Sequence, residues 1–201
     1  MSRECWNKDS FQSCGDSTLS TFYFIVSGRL KVYQINPDTG RQHTIFLLSK
    51  GDVFDILCLL DSEPHKVYCE SIDLLEVLKI PVADMRNWIL QHPEIHPTIL
   101  HYLGTRIRML EAASTDISLH NTLIRLSNLL LKNLNGQSRK LELINNLSNE
   151  EIASLIGTTR AVVNRHIQEL KNCGAISVRR NNISIENIEV LTSIAEYKFI
   201  P

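Results

Sequence analysis

The sequence predicts an α+β chain in three successive parts, and three observations predict it. Residues 21–80 fall into short aromatic and β-branched runs punctuated by glycine and proline, the pattern of antiparallel strands. From residue 82 the apolar residues recur at three and four positions instead, the period of a helix. Near the C-terminal end, two short helical segments flank "GTT" and two strand-like runs follow them.

The strands can be placed one by one. "STFYFIVSGRLKVYQI" (20–35) is rich in aromatic and branched residues on either side of Ser27-Gly28, a tight-turn signal. "NPDTG" (36–40) is a second turn, in which the Asn-Pro and Thr-Gly pairs favour reversal. "RQHTIFLL" follows as a further strand. Residues 49–80 continue in short apolar runs, broken at Gly51 and at Asp61–Pro64. Strands this short with turns this close suggest an antiparallel barrel or sandwich.

The helical part opens with "VADMRNWILQ", a short helix that His92-Pro93 ends. A long helix is predicted from about Pro97 towards Thr115. Ile99, Leu103, Ile107 and Leu110 form a narrow apolar seam flanked by Arg106, Arg108 and Glu111. A narrow seam between charged flanks suits a helix that pairs with a copy of itself; packing against its own strands is the alternative. "TLIRLSNLLLKNLN" predicts another helix, with Asn135-Gly136 as its left-handed end, and "KLELI" a short strand. The boundaries implied are 1–92, 93–117 and 118–201.

Composition excludes several classes. Apolar residues are 43% and charged residues 21% of 201, ordinary for a globular chain, and no apolar run approaches the length that crosses a bilayer. "MSRECWNKDSFQSCGDS" lacks the apolar core of a signal peptide, so an intracellular protein is expected. The five cysteines are scattered and odd in number, which argues against a disulfide framework or a zinc site. His43, His65, His92, His96 and His101 include one pair at helical ligand spacing, His92/His96, and read as surface polar residues; no metal is expected. The net charge of −1 gives no sign of nucleic acid, so any basic footprint is local. Residues 148–182 hold five Lys or Arg against three Glu.

Those residues carry the most informative stretch. Ser148 and Glu151 have capping-box spacing at the head of a segment whose Ile152, Leu155 and Ile156 face inward. Gly157 supplies a turn, and Thr158 or Thr159 caps the next helix. That helix buries Val162 or Val163, His166 or Ile167, and Leu170, and it exposes Arg160, Asn164 and Arg165. The spacing fits a helix-turn-helix. "CGAISVRRNNISIEN" adds a hairpin with Arg179 and Arg180 at its tip, which makes a winged helix. Arginine can donate two hydrogen bonds to guanine, and the N-terminal half of such a second helix is the part that enters a major groove. Arg160, Asn164 and Arg165 are therefore candidate base readers, with Val162 placed to touch a thymine methyl. Thr158, Thr159, Arg179 and Arg180 are candidate phosphate contacts.

At this point the chain resembles the Crp/Fnr family of bacterial transcription regulators over essentially its whole length. "FYFIVSGRLKVYQINPDTGRQHTIFLLSKGDVF" looks like the core of the family's cyclic-nucleotide-type β-roll, and "LSNEEIASLIGTTRAVVNRHIQELKNCGAISVRRNNISI" like its DNA-binding signature. The resemblance implies a β-roll sensor, a long dimerisation helix (Ile99, Leu103, Ile107, Leu110) and a winged helix. It also implies a homodimer on palindromic double-stranded DNA, and RNA polymerase as a further partner. The chain begins close to the first β-roll strand, so the family's N-terminal lead-in is expected to be short or absent.

"IGTTRAVVNR" is similar to the recognition segment of the NtcA-type nitrogen-control branch of cyanobacteria and red-algal plastids, which implies a site like GTA-N8-TAC. "VFDILCLL" also resembles that branch, and Arg106 and Glu111 keep the spacing of a pair implicated there in 2-oxoglutarate binding. The effector residues so implied are Phe54, Asp55, Ile56, Leu57, Lys66, Arg106 and Glu111. The family's cyclic-AMP binders carry Gly-Glu and Arg-Ser where this chain has Asp55-Ile56 and His65-Lys66, so cyclic AMP is not expected. Cys5 and Cys14 do not form the close cluster of the iron–sulfur oxygen sensors. Lys66 in place of Arg loses the bidentate fork, and a carboxylate at Asp55 repels a dicarboxylate unless it turns away. The effector stays open between 2-oxoglutarate, none, and another signal.

The expected location is a bacterial cytoplasm, or alternatively a plastid stroma. A rival of another class is a ligand-binding module that acts by protein contact; salt-dependent affinity for duplex DNA separates the two. No catalytic triad order, phosphate loop or metal motif points to an enzyme.

Overall fold

A computed structural model of the chain describes residues 1–14, 17–135, 141–179 and 182–196. The chain divides into two compact units, Met1–Arg108 and Met109–Pro201.

Period-two alternation builds the first unit. β3 (Thr21–Ser27) turns Tyr23 and Ile25 to one side and Phe22 and Phe24 to the other. Its sheet has the order β1 (Ser2–Trp6), β8 (Leu75–Pro81), β3, β6 (Val53–Phe54), all antiparallel. The second sheet has the order β2 (Phe11–Cys14), β7 (Val67–Ser71), β4 (Leu30–Ile35), β5 (Gln42–Leu48). The inward residues of both sheets, among them Trp6, Tyr23, Leu30, Val32, Val67 and Leu75, make one core. The outward face of β3 packs Phe22 against Leu59 of α2 (Ile56–Asp61) and against Val82 and Met85 of α3 (Val82–Gln91).

The first hairpins follow from local chemistry. Gly28 sits at φ +83, and a Cβ there would stand 2.5 Å from Leu74 O. Both facts demand glycine. Asn36 folds the next turn, its side-chain oxygen accepting from Asp38 N at 3.0 Å and Thr39 N at 2.9 Å.

Three expectations need correction here. "ILCLLD" was expected to continue the strands and is the helix α2, because Asp55 caps it by accepting from Leu57 N. β1 and β2 stand ahead of β3, where little structure was expected. "KLELI" is not a strand: among the described residues, Leu141 makes one bridge to Leu134 and the chain then turns.

α4 (His96–Leu119) runs longer at both ends than the seam suggested, and it has no buried residue. Leu100, Ile107, Leu110 and Ile117 on it are exposed, Leu103 and Ile99 half-buried. Leu100 and Ile117 thus add further exposed apolar residues to the expected seam of Ile99, Leu103, Ile107 and Leu110.

The second unit packs α5 (Thr122–Lys132), α6 (Asn149–Ile156), α7 (Arg160–Asn172), the hairpin β9 (Ile176–Arg179) and β10 (Asn182–Ile185), and α8 (Ile188–Ala195). α5 ends at Lys132 with Asn133 as its cap at φ −103, earlier than Asn135-Gly136 suggested; Gly136 lies outside the described residues. α8 was not foreseen. Asn187 caps it, and Leu191 and Ile194 are buried. Helix, turn, helix and hairpin in this order are a winged helix-turn-helix, and the α+β class is as the sequence predicts.

Gly28→Ala is expected to cost about 2–4 kcal/mol, from left-handed strain plus the clash with Leu74 O. Gly40→Ala, at φ +67 with open space around it, should cost about 1 kcal/mol. Thermal unfolding of the two variants side by side tests this; equal losses would mean that the Leu74 approach is irrelevant.

Candidate functional site

The helix-turn-helix is fixed at each joint by a local device. Ser148 Oγ accepts from Glu151 N at 3.2 Å, and Glu151 Oε2 accepts from Ser148 N at 2.5 Å, a complete capping box at the start of α6. Gly157 ends α6 in the left-handed region at φ 66. Arg125 of α5 donates to Ile156 O at 2.8 Å, so the last turn of α6 is tied to α5. Of the two threonines, Thr159 caps α7 by accepting from Val162 N, while Thr158 is half-buried and donates its own N–H to Ala153 O at 2.9 Å.

α7 is sharply two-faced. Val163, His166, Ile167 and Leu170 are buried. Both members of the uncertain pair His166/Ile167 therefore lie inside, whereas Val162 is only half-buried. Arg160, Ala161, Asn164 and Arg165 are exposed on the other side. Arg160 is the first residue of α7, and no acidic residue occupies its first turn. A cation there opposes the helix dipole, so helix stability does not account for it. Asn164 Oδ1 accepts from Asn149 Nδ2 of α6. Arg165 Nε stands 3.8 Å from Glu169 Oε1. Arg179 ends β9 and is exposed, and Arg180 lies outside the described residues.

The expected effector residues lie in different surroundings. Phe54 is buried in the core against Tyr23. Asp55 is buried and internally bonded: His65 Nδ1 lies 2.5 Å from Asp55 Oδ2, and Cys58 Sγ donates to the same oxygen at 3.4 Å. Arg106 is ion-paired with Asp52, and its guanidinium lies 4.7 Å from the Tyr102 ring centroid. Ile56 is half-buried; Leu57, Lys66 and Glu111 are exposed, and Glu111 belongs to the second unit. No group of three His, Cys, Asp or Glu set to hold a metal occurs among the described residues.

Comparison with known proteins places both units. Residues 13–92 match the cyclic nucleotide-binding domain family, and residues 124–194 match the Crp-like helix-turn-helix domain family. The chain belongs to the Crp/Fnr family. It is 26% identical over 173 residues to a CRP-like cAMP-activated global transcriptional regulator of Mycobacterium tuberculosis, covering 84% of this chain and 77% of that one. It is 24% identical over 173 residues to the global nitrogen regulator of a Synechocystis strain, covering 82% and 76%. The two identities are so close that they do not choose between those regulators. Its fold matches that of FixK2 from Bradyrhizobium japonicum at TM-score 0.83, with 19% identity over 96% of each chain. As a Crp/Fnr member, the chain is a DNA-binding transcription regulator, and the relatives named are regulators rather than enzymes. No helix among the described residues is long and apolar enough to cross a membrane.

Sequence reasoning about this Crp/Fnr chain missed one hub. Asp116, near the end of α4, accepts from Asn128 Nδ2 at 2.9 Å and Lys132 Nζ at 2.7 Å, both on α5, and lies 2.8 Å from His120 Nδ1. Burial pushes its carboxyl up, but the bonds from Lys132, His120 and Asn128 outweigh that and hold it below the usual aspartate value. The Asp116/His120 spacing of four on a helix was the available signal.

Asp116→Ala should lower stability at pH 7 by about 1–3 kcal/mol, the range for hydrogen bonds to a charged group. A depressed folded pKa means that this contribution is complete above about pH 4 and is lost as pH falls through the lower folded value. Urea unfolding at pH 7 and in acid checks it: the gap between wild type and variant must shrink in acid.

Proposed function

We propose that this regulator binds a palindromic promoter site as a homodimer and reads it with α7. The observation that carries the reading is the face of α7 itself: Arg160, Asn164 and Arg165 are exposed while the opposite side is buried. Arg160 and Arg165 read bases with Asn164 in support, and Val162 lies beside them for a thymine methyl. Thr158, Thr159, Arg179 and Arg180 hold phosphates. The homodimer is supported by α4, whose Leu100, Leu103, Ile107, Leu110 and Ile117 recur at alternating intervals of three and four and then seven. Two such heads lie about 34 Å apart, in successive major grooves. RNA polymerase is the further partner, and the cytoplasm the place of action.

Nitrogen control with 2-oxoglutarate as effector is the finer reading, supported by distant similarity to the global nitrogen regulators and by Arg106, whose guanidinium suits a carboxylate. The ligand would have to displace Asp52 from Arg106. A second reading, that no small molecule is needed, is favoured by that same ion pair together with the contact between buried Asp55 and half-buried His65, since both take up polar groups with the protein's own partners.

Fluorescence anisotropy on a GTA-N8-TAC duplex and a scrambled duplex, with and without millimolar 2-oxoglutarate, tests both readings. Operator preference is expected. Strengthening by 2-oxoglutarate selects the first effector reading, indifference selects the second, and equal affinity for the two duplexes defeats site-specific binding at this palindrome. Arg165→Ala should cost about 1–3 kcal/mol on the operator and relax one position, while Arg179→Ala should weaken both duplexes alike and reduce the salt slope by about 1.

A further inference from the structure

A line of three contacts crosses the recognition helix and reaches Arg165 from behind. His166 is a polar residue on the buried side of α7, its side chain 8% exposed. Its Nε2 lies 2.7 Å from Thr122 Oγ1 at the start of α5, and its Nδ1 lies 2.7 Å from Glu169 Oε2. Both ring nitrogens are thus used at opposite edges of the ring, which fixes its plane. Glu169 is 47% exposed and has three side-chain torsions to lose. The imidazole holds one of its oxygens, and the other faces Arg165 Nε at 3.8 Å. An arginine approached at Nε keeps its terminal Nη pair open, the edge that pairs bidentately with a base.

We infer that Glu169, held by His166 and through it by Thr122, is a positioning residue that orients Arg165 for base reading. The inference rests on the base-reading role proposed for Arg165. An exposed pair at this distance adds little to stability. Its effect falls on discrimination instead: a pre-oriented arginine loses less freedom on binding, worth about two- to tenfold in affinity.

The test uses the full chain, the GTA-N8-TAC duplex and a set of duplexes with single base-pair changes in each half-site. Glu169→Ala should reduce discrimination among them about two- to tenfold. It should leave the salt slope unchanged, because no phosphate contact is lost. Glu169→Gln, which keeps the acceptor oxygen, should recover part of the loss. His166→Leu should reproduce the Glu169→Ala loss, and circular dichroism checks that it folds; Glu169 is exposed, so its variants carry the test even where His166→Leu unfolds. In an Arg165→Ala background, Glu169→Ala should add nothing. The inference is overturned if the Glu169→Ala effect persists undiminished in that background. It is also overturned if Glu169→Ala raises affinity for every duplex alike, which would mark Glu169 as a mere repeller of phosphate. If Arg165→Ala leaves discrimination intact, the base-reading role fails first and the positioning role falls with it.

Discussion

Burial of one face of α7 is the constraint on which the second unit depends. Val163, Ile167 and Leu170 have to leave water, and α5, α6 and the hairpin supply the surfaces that cover them. Once that face is fixed, the helical period of 3.6 leaves Arg160, Asn164 and Arg165 no place but outside. The capping box, the left-handed Gly157 and the Thr159 cap then set where the helices begin and end, so the exposed set keeps its register to within a fraction of a turn. A polar, partly basic surface arises here as the complement of a core.

The first unit shows the opposite economy of charge. Two carboxylates near α2, Asp52 and Asp55, are engaged by groups of the unit itself. Asp52 neutralises Arg106 and also accepts from Ser49 N at 2.8 Å, and Asp55 is enclosed by His65, Cys58 and the Leu57 amide of α2. An anion reaching Arg106 would compete with Asp52 for the guanidinium, so its binding energy there would be a difference between two salt links, not the gain of one.

The legible parts of the sequence were those governed by local rules. Ser148-x-x-Glu151, Gly157 and the Asn36 turn each act within five residues, and each folds as its chemistry dictates. The strands of the first unit were legible where they alternate. α2 was not, because "ILCLLD" is too short to display a period and its apolar run reads equally well as a strand; Asp55 as a cap was the one overlooked sign. The long-range bonds of Asp116 and His166 escaped for a different reason. Asn128 and Lys132 lie 12 and 16 residues from Asp116 and Thr122 lies 44 from His166, and no local pattern reports a hydrogen bond across such separations.

The bond between Asn149 and Asn164 bears on how α6 and α7 hold together. It takes up the carbonyl oxygen of Asn164 and leaves that side chain its two N–H donors. A side chain tethered at one atom has given up part of its rotamer freedom before anything meets that face. The two helices are thus joined twice: inside by the apolar residues they share, and outside by one amide donating a hydrogen bond to another.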